Sequence, residues 1–195
     1  MDKQRTLIII KPDGVQRGLI GKILKRFERT GLKIVGLKFD WVSKEQITKH
    51  YPDTELWYKK VGERTLNNYQ KKGMDPQQMI GTTDSVEIGK MVKTWLIGYM
   101  TESPLFFAVL EGYETVAIVR KLCGDTTPLF ANPGTIRADF SFDNVDLANS
   151  QKRPLKNVIH ASDTIEDAIK EIDLWFKPEE LFEYERADDK FMFGK

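Results

Sequence analysis

The sequence predicts an α/β (α+β) fold of the split βαβ, ferredoxin-like kind, a four-stranded antiparallel sheet covered by helices. Two observations predict it. Four short runs rich in β-branched and aromatic residues alternate with segments of helical period, in the order β-α-β-α-β-α-β-α. Four strands with two principal covering helices then suit the split βαβ arrangement. No internal repeat or low-complexity tract breaks the pattern, so residues 1–195 read as a single domain.

Thr6 to Ile10 is a buried-strand run that stops at Lys11-Pro12-Asp13-Gly14, a turn signal. Ile20, Ile23, Leu24 and Phe27 recur at helical spacing, which predicts a helix over 19–30 with Gly31 as its stop. Leu32 to Val42 alternates apolar and polar residues and reads as the second strand. Ser43 is placed to cap a short helix running to His50 and Tyr51. Residues 52–103 read as helical, with a capped start at Asp84 and an apolar stripe of Met91, Trp95, Leu96 and Met100. Leu105 to Glu111 is the third strand, and 114–122 a helix ending at Gly124. Residues 125–140 read as a Thr/Pro/Gly/Asn-rich loop, and 141–156 as a polar stretch without strand character. Asn157 to Ser162 is the fourth strand, 163–176 the last helix, and 177–195 an ordered or half-ordered tail.

Composition excludes several classes. Hydrophobic residues make up 41% and charged residues 30%, which is ordinary for a water-soluble chain. The net charge of +1 gives no global field toward nucleic acid or an anionic membrane. Cys123 is the single cysteine, so no intrachain disulfide forms, and its apolar helical setting reads as core filler. No signal-peptide pattern or membrane-spanning run is present, and the expected compartment is the cytoplasm. The chain has neither a G-x-x-x-x-G-K-[ST] loop nor a G-x-G-x-x-G turn, and no His/Cys cluster of zinc spacing.

The chemistry centres on Asn157-Val-Ile-His-Ala-Ser-Asp163, which holds one of two histidines in the chain. His160 is expected at the end of a short strand beside a helix N-terminus, where anions are favoured. A neutral imidazole nitrogen can attack phosphorus without adding negative charge there, provided that a partner holds the other nitrogen. Ile165, Ala168, Ile172 and Phe176 mark the buried stripe of the last helix, with Glu171 at its edge and able to reach back to the strand. A satisfied core histidine is the competing reading. Lys11, Arg120 and Arg137 lie near element ends beside Gly- and Pro-rich segments, the spread of cations that a polyphosphate requires. A solvated surface charge is the plainer reading for each of them. His50, at a helix end, reads as a helix C-terminal cation.

Together these segments resemble the nucleoside diphosphate kinase family. Four blocks carry the likeness: Lys11-Pro-Asp-Gly-Val-Gln-Arg-Gly18, His50-Tyr51, Pro133-Gly-Thr-Ile-Arg-Ala-Asp-Phe140 and Asn157 to Asp163, with the tail Glu171-Ile-Asp-Leu-Trp-Phe-Lys-Pro-Glu-Glu-Leu181 in support. The resemblance implies a ping-pong transfer of the terminal phosphate of a nucleoside triphosphate, typically ATP, to a nucleoside diphosphate through a phosphohistidine. It implies His160 as nucleophile, Glu171 and Ser162 as its support, Lys11 on the phosphates and Tyr51 orienting Lys11. It implies Arg120, Arg137 and Thr126 on the phosphate chain, Asn157 at the ribose and phosphate end, and Leu96 as an apolar base contact. Mg2+ would travel mainly on the nucleotide phosphates, with no metal ligand from the protein. A homo-oligomer is implied, a hexamer before a tetramer, with no membrane partner and no dedicated nucleic-acid site.

The chain departs from the family pattern at insertions near 54–90 and 144–156. The first expands the segment that stacks on the nucleotide base. Counting back from Pro104 puts Val92 at the stacking position, counting forward from Tyr51 puts Trp57 and Tyr58 there, and Trp95 is a third candidate. The second insertion reads as a longer surface loop. Two other functions compete: a nucleotide-binding regulatory paralogue without turnover, and a nucleic-acid-binding module, for which the repeated basic and aromatic sheet pattern is missing.

Overall fold

Four consecutive apolar residues, Leu7 to Ile10, require a strand covered on both faces, and all four are fully buried in β1 (Gln4–Ile10). Each contributes about 1.5–3 kcal/mol of transfer free energy. The computed structural model describes residues 3–71 and 73–194. After β1 come α1 (Pro12–Gln16), α2 (Ile20–Glu28), β2 (Lys33–Asp40), α3 (Lys44–His50), α4 (Glu55–Lys71), α5 (Pro76–Ile80) and α6 (Ser85–Met100). Then follow β3 (Leu105–Gly112), α7 (Thr115–Cys123), α8 (Ile136–Phe140), α9 (Val145–Ser150), β4 (Ile159–Ala161), α10 (Ile165–Trp175) and α11 (Asp189–Phe193). The sheet order is β2-β3-β1-β4 with every neighbour antiparallel. β1 and β2 therefore run parallel with β3 between them, the split βαβ topology that the sequence predicts.

The pleat divides the core. Ile8 and Ile10, with Ala108 and Leu110 of β3, pack with Ile23 and Phe27 of α2 and Val119 of α7. Leu7 and Ile9, with Phe107 and Val109, pack with Ile47 of α3, Tyr99 and Met100 of α6, and Ile172 and Trp175 of α10. β4 obeys the same alternation. Ile159 and Ala161 enter the first core, so His160, paired with Ile9, faces the side of α3 and α10. Ser43 caps α3 in a capping box with Gln46, as its position predicts.

Residues 52–103 form a helical hairpin. A Cβ on Gly62 would run into the Ser85 carbonyl, and one on Gly89 into the Tyr58 carbonyl, so α4 and α6 cross antiparallel with main chain against main chain. Their outer ends build a satellite core of Tyr69, Ile80 and Ile88, joined by Leu66, Met79, Met91, Val92 and Trp95. A bulge between Ile34 and Gly36 turns the far half of β2 over, leaving Leu37, Phe39 and Trp41 exposed.

Local structure differs from the sequence reading in four places. The turn after β1 is the one-turn helix α1, because Pro12 suits a first helical position. The 125–140 loop contains a 3-10 turn and α8, and the 141–156 stretch contains α9, capped by the Asn144 side chain. These helices are too short for a periodic apolar signal. β4 is confined to three residues, since Val158 before it has φ +59° and cannot be extended.

Candidate active site

His160 is oriented by α10. Its Nε2 lies 3.0 Å from both Oε1 and Oε2 of Glu171, one helical turn and more into α10. Ser162 Oγ, buried at the strand end, donates to Glu171 Oε2 at 2.6 Å. Burial would raise the Glu171 carboxyl, but the facing His160 and these hydrogen bonds leave it below its ordinary value. A carboxylate only accepts, so the proton resides on Nε2 and Nδ1 holds the lone pair. Nδ1 carries no hydrogen bond among the described residues.

The backbone before His160 is strained and tightly held. The Ile159 amide donates to the Asn157 carbonyl at 2.7 Å, closing a γ-turn about Val158. The Val158 amide donates to Asp13 Oδ2 at 3.1 Å, and its carbonyl accepts from the Lys11 amide at 2.9 Å. Tyr99 donates its hydroxyl to the other Asp13 oxygen. Gly14 is required below this turn, since a Cβ would stand 2.7 Å from Ile10 Cγ2 and 3.0 Å from the Val158 carbonyl.

Lys11, at the end of β1, donates Nζ to Asn157 Oδ1 at 2.7 Å, and Asn157 Nδ2 donates to the Thr126 carbonyl at 2.7 Å. Burial first, and then the Arg137 charge, lower the Lys11 pKa to about 8 against the opposing pull of Asp13. Arg137 donates to the carbonyls of Gly124 and Ile159 at 2.8 and 2.9 Å. Its buried Nε lacks a partner among the described residues. Arg120 on α7 pairs with Asp163, two residues beyond β4. The cluster is thus cationic, partly desolvated and short of anions, which suits a polyphosphate.

The structure joins His160, Glu171 and Ser162 in one hydrogen-bonded group and Lys11 and Asn157 in another, with Arg137 bonded to the carbonyl of Ile159, the residue before His160. Thr126 joins through its carbonyl and leaves its exposed side chain to solvent. Tyr51 packs edge-on to His50, with ring centroids 5.1 Å apart, and Trp57 lies 6.3 Å beyond it. Leu96 is half-buried on α6. Of the stacking candidates, Val92 and Trp95 pack into the satellite core. Tyr58 is tied to Asp53 and Lys93. Trp57 is half-buried beside Tyr51.

Sequence reasoning missed two groups. Asp13 looked like a turn residue, yet it pins Val158. His50 read as a solvated helix-end cation, whereas it is buried and burial lowers its pKa to about 3. The Trp175 indole that reaches it comes from a helix 125 residues away, a distance that no local pattern spans.

A lone-pair imidazole set among lysine, arginine and amide groups defines a nucleotide phosphotransferase. Comparison with known proteins narrows that class. Residues 4–63 and 77–181 match the family model described as nucleoside diphosphate kinase. A nucleoside diphosphate kinase of Pyrobaculum aerophilum is 48% identical over 94% of this chain and 100% of its own length. One of Pyrococcus horikoshii is 43% identical over 97% and 96%. The crystal structure of the NDP kinase from Pyrobaculum aerophilum matches with a TM-score of 0.91 at 47% identity, over 93% of this chain and 100% of that one. A transition-state mimic of the Borrelia burgdorferi enzyme with bound vanadate and ADP matches with a TM-score of 0.77 at 39% identity, over 97% and 96%.

The chain belongs to the nucleoside diphosphate kinase family. It is an enzyme of nucleotide phosphate transfer, of a family that uses a divalent metal with its nucleotide. Of residues 64–76, between the two matched segments, 64–71 are the outer end of α4, 73–75 lead into α5, and Pro76 begins it. Among the described residues no helix is long and apolar enough to cross a membrane.

Proposed function

We propose that His160 Nδ1 carries the phosphoryl group between a nucleoside triphosphate, ATP foremost, and a nucleoside diphosphate. The observation that supports this most directly is the Glu171 carboxylate on Nε2. The Nδ1 lone pair attacks the terminal phosphorus, and the bond from phosphorus to the bridging oxygen breaks. The electron pair departs with the nucleoside diphosphate, and the ring takes up positive charge at Nε2–H, where Glu171, backed by Ser162, stabilises it. In the second half-reaction a terminal oxygen of the incoming diphosphate attacks the phosphohistidine, and the ring returns to neutral.

Lys11 neutralises charge on the reacting phosphoryl group, and Arg137 and Arg120 hold the outer phosphates. Arg120 exchanges Asp163 for phosphate to do so. Asn157 fixes Lys11 and faces the ribose and phosphate end, the Thr126 hydroxyl meets the phosphate chain, and Tyr51 closes the wall behind Lys11 and the histidines. Trp57 gives the base a stacking face, with Leu96 as a second apolar contact. The donor set around the phosphates is cationic and amide, with the Glu171 carboxylate already engaged by His160 and Ser162. That set fits Mg2+ carried on the nucleotide's own oxygens, where it would offset phosphate charge.

We read residues 1–195 as one kinase domain with the α4–α6 hairpin and the α9 segment as its insertions, acting in the cytoplasm. The exposed far half of the β2 edge, with Leu37 and Phe39, supports a homo-oligomer, and the family resemblance favours a hexamer before a tetramer. The test is incubation with terminally labelled ATP. An acid-labile, alkali-stable phosphoprotein is expected, absent in His160→Ala. No label on the unmutated protein would sink the reading in favour of a regulatory paralogue.

A further inference from the structure

The transfer steps leave the second histidine of the chain without a role. His50 ends α3 and is 9% exposed. Its ring centroid stands 4.7 Å from that of His160, with the planes at 82°. Trp175 Nε1 donates to His50 Nδ1 at 3.3 Å, which leaves the His50 proton on Nε2. His50, His160 and Glu171 each bring a nitrogen or carboxylate oxygen within 4.8 Å of the others.

We infer that His50 is a positioning residue for phosphoryl transfer: an uncharged ring, its tautomer set by the Trp175 indole, that braces His160 with Nδ1 toward the nucleotide. The inference rests on the His160 reading. Its logic is geometric. A half-turn of the His160 ring about its Cβ–Cγ bond would put Cδ2 in the place of Nδ1 and Cε1 in the place of Nε2, turning the lone pair away from the nucleotide, and only the Nε2 bond to Glu171 resists it. His50, standing perpendicular to the ring, obstructs that rotation. The groups facing His50 are His160 from β4, Glu171 from α10, Lys11 from the end of β1 and its neighbour Tyr51. Burial, and then His160 and Lys11, keep it from protonating, although Glu171 pulls the other way. An uncharged His50 leaves the Glu171 charge to His160, whereas a cationic one would compete for it.

With two histidines in the chain, imidazole nitrogen NMR is readable without ambiguity. The unmodified protein is expected to show His50 as the Nε2–H tautomer, unchanged from pH 8 to pH 5. His50→Phe keeps a ring but leaves the Trp175 N–H without an acceptor. His50→Asn keeps an acceptor near the Nδ1 position but loses the ring. Each is expected to lower kcat about tenfold or more, with KM for nucleotide within about twofold. Both variants retaining kcat within about twofold would overturn the inference. So would an Nδ1–H or charged His50 at pH 7 in the unmodified protein, a measurement that stands even if neither variant folds. Labelling of the unmodified protein by ATP tests His160 separately.

Discussion

The two ends of the nucleotide site are built on different terms. At the phosphate end each functional group has a fixed partner: Glu171 on His160, Asn157 on Lys11, two backbone carbonyls on Arg137, Asp13 on Val158. These groups sit at the ends of β1 and β4 and on α8 and α10, inside the part of the chain that matches the family. At the proposed base end, the surface comes from the α4–α6 hairpin, whose tip lies between the matched segments. The difference reflects what each end must recognise. A pentavalent phosphorus needs charges placed to a fraction of an ångström, whereas a base needs a flat apolar face, which several side chains can supply.

If that contrast holds, phosphate-end changes should act on kcat and base-end changes on KM. The largest effect is expected from Lys11→Met, with kcat/KM falling about 10²–10³-fold in a coupled spectrophotometric assay. The same variant should melt at a higher temperature than the unmutated protein, because it removes a cation whose pKa shows it to be unfavourably buried. A lower melting temperature would mean that Lys11 is structural as well. Glu171→Gln comes next. Losing a charged hydrogen bond worth about 1.5–3 kcal/mol should lower kcat roughly ten- to a hundredfold. A change in KM alone would break the division between the two ends.

Trp57→Ala should raise KM about tenfold and leave kcat nearly unchanged, as loss of one stacked face predicts. Equal KM values would move the base platform to another side chain. The smallest effect is with pH. Because the Lys11 pKa is lowered to about 8, its charge is complete below that value and is lost as pH rises through it. kcat/KM for nucleotide should begin to fall as pH approaches 8 and be severalfold lower by pH 9 in steady-state titrations. Lys11→Met should abolish that fall. For stability the sign is opposite: the charged amine is disfavoured in the fold, so this group's penalty is relieved as pH climbs from about 8 toward 10.5.

The four strands and their order were legible because the β-branched runs are strong and their alternation with helices leaves few topologies. His160 and Glu171 were legible together because the stripe of α10 fixes which edge faces β4. Asp13 was not, since a Pro-Asp-Gly string looks alike whether it caps a turn or anchors a buried amide. His50 was not, because its character comes from Trp175 and His160, which reach it only through the tertiary fold. The base platform is open among four residues in the sequence, since only the tertiary fold shows that Val92 and Trp95 pack into the satellite core.

The glycine crossing of α4 and α6 has a consequence for how such a chain drifts over evolutionary time. Backbone touches backbone at Gly62 and Gly89, so side chains elsewhere on the hairpin do not set its angle. Loops at its tip can lengthen, and surface residues can be exchanged, without carrying Trp57 away from its place. A lineage could therefore rework most of this insertion while keeping its substrates, as long as two positions never acquire a methyl group. In related sequences, those two glycines are better markers of a working hairpin than its length or its composition.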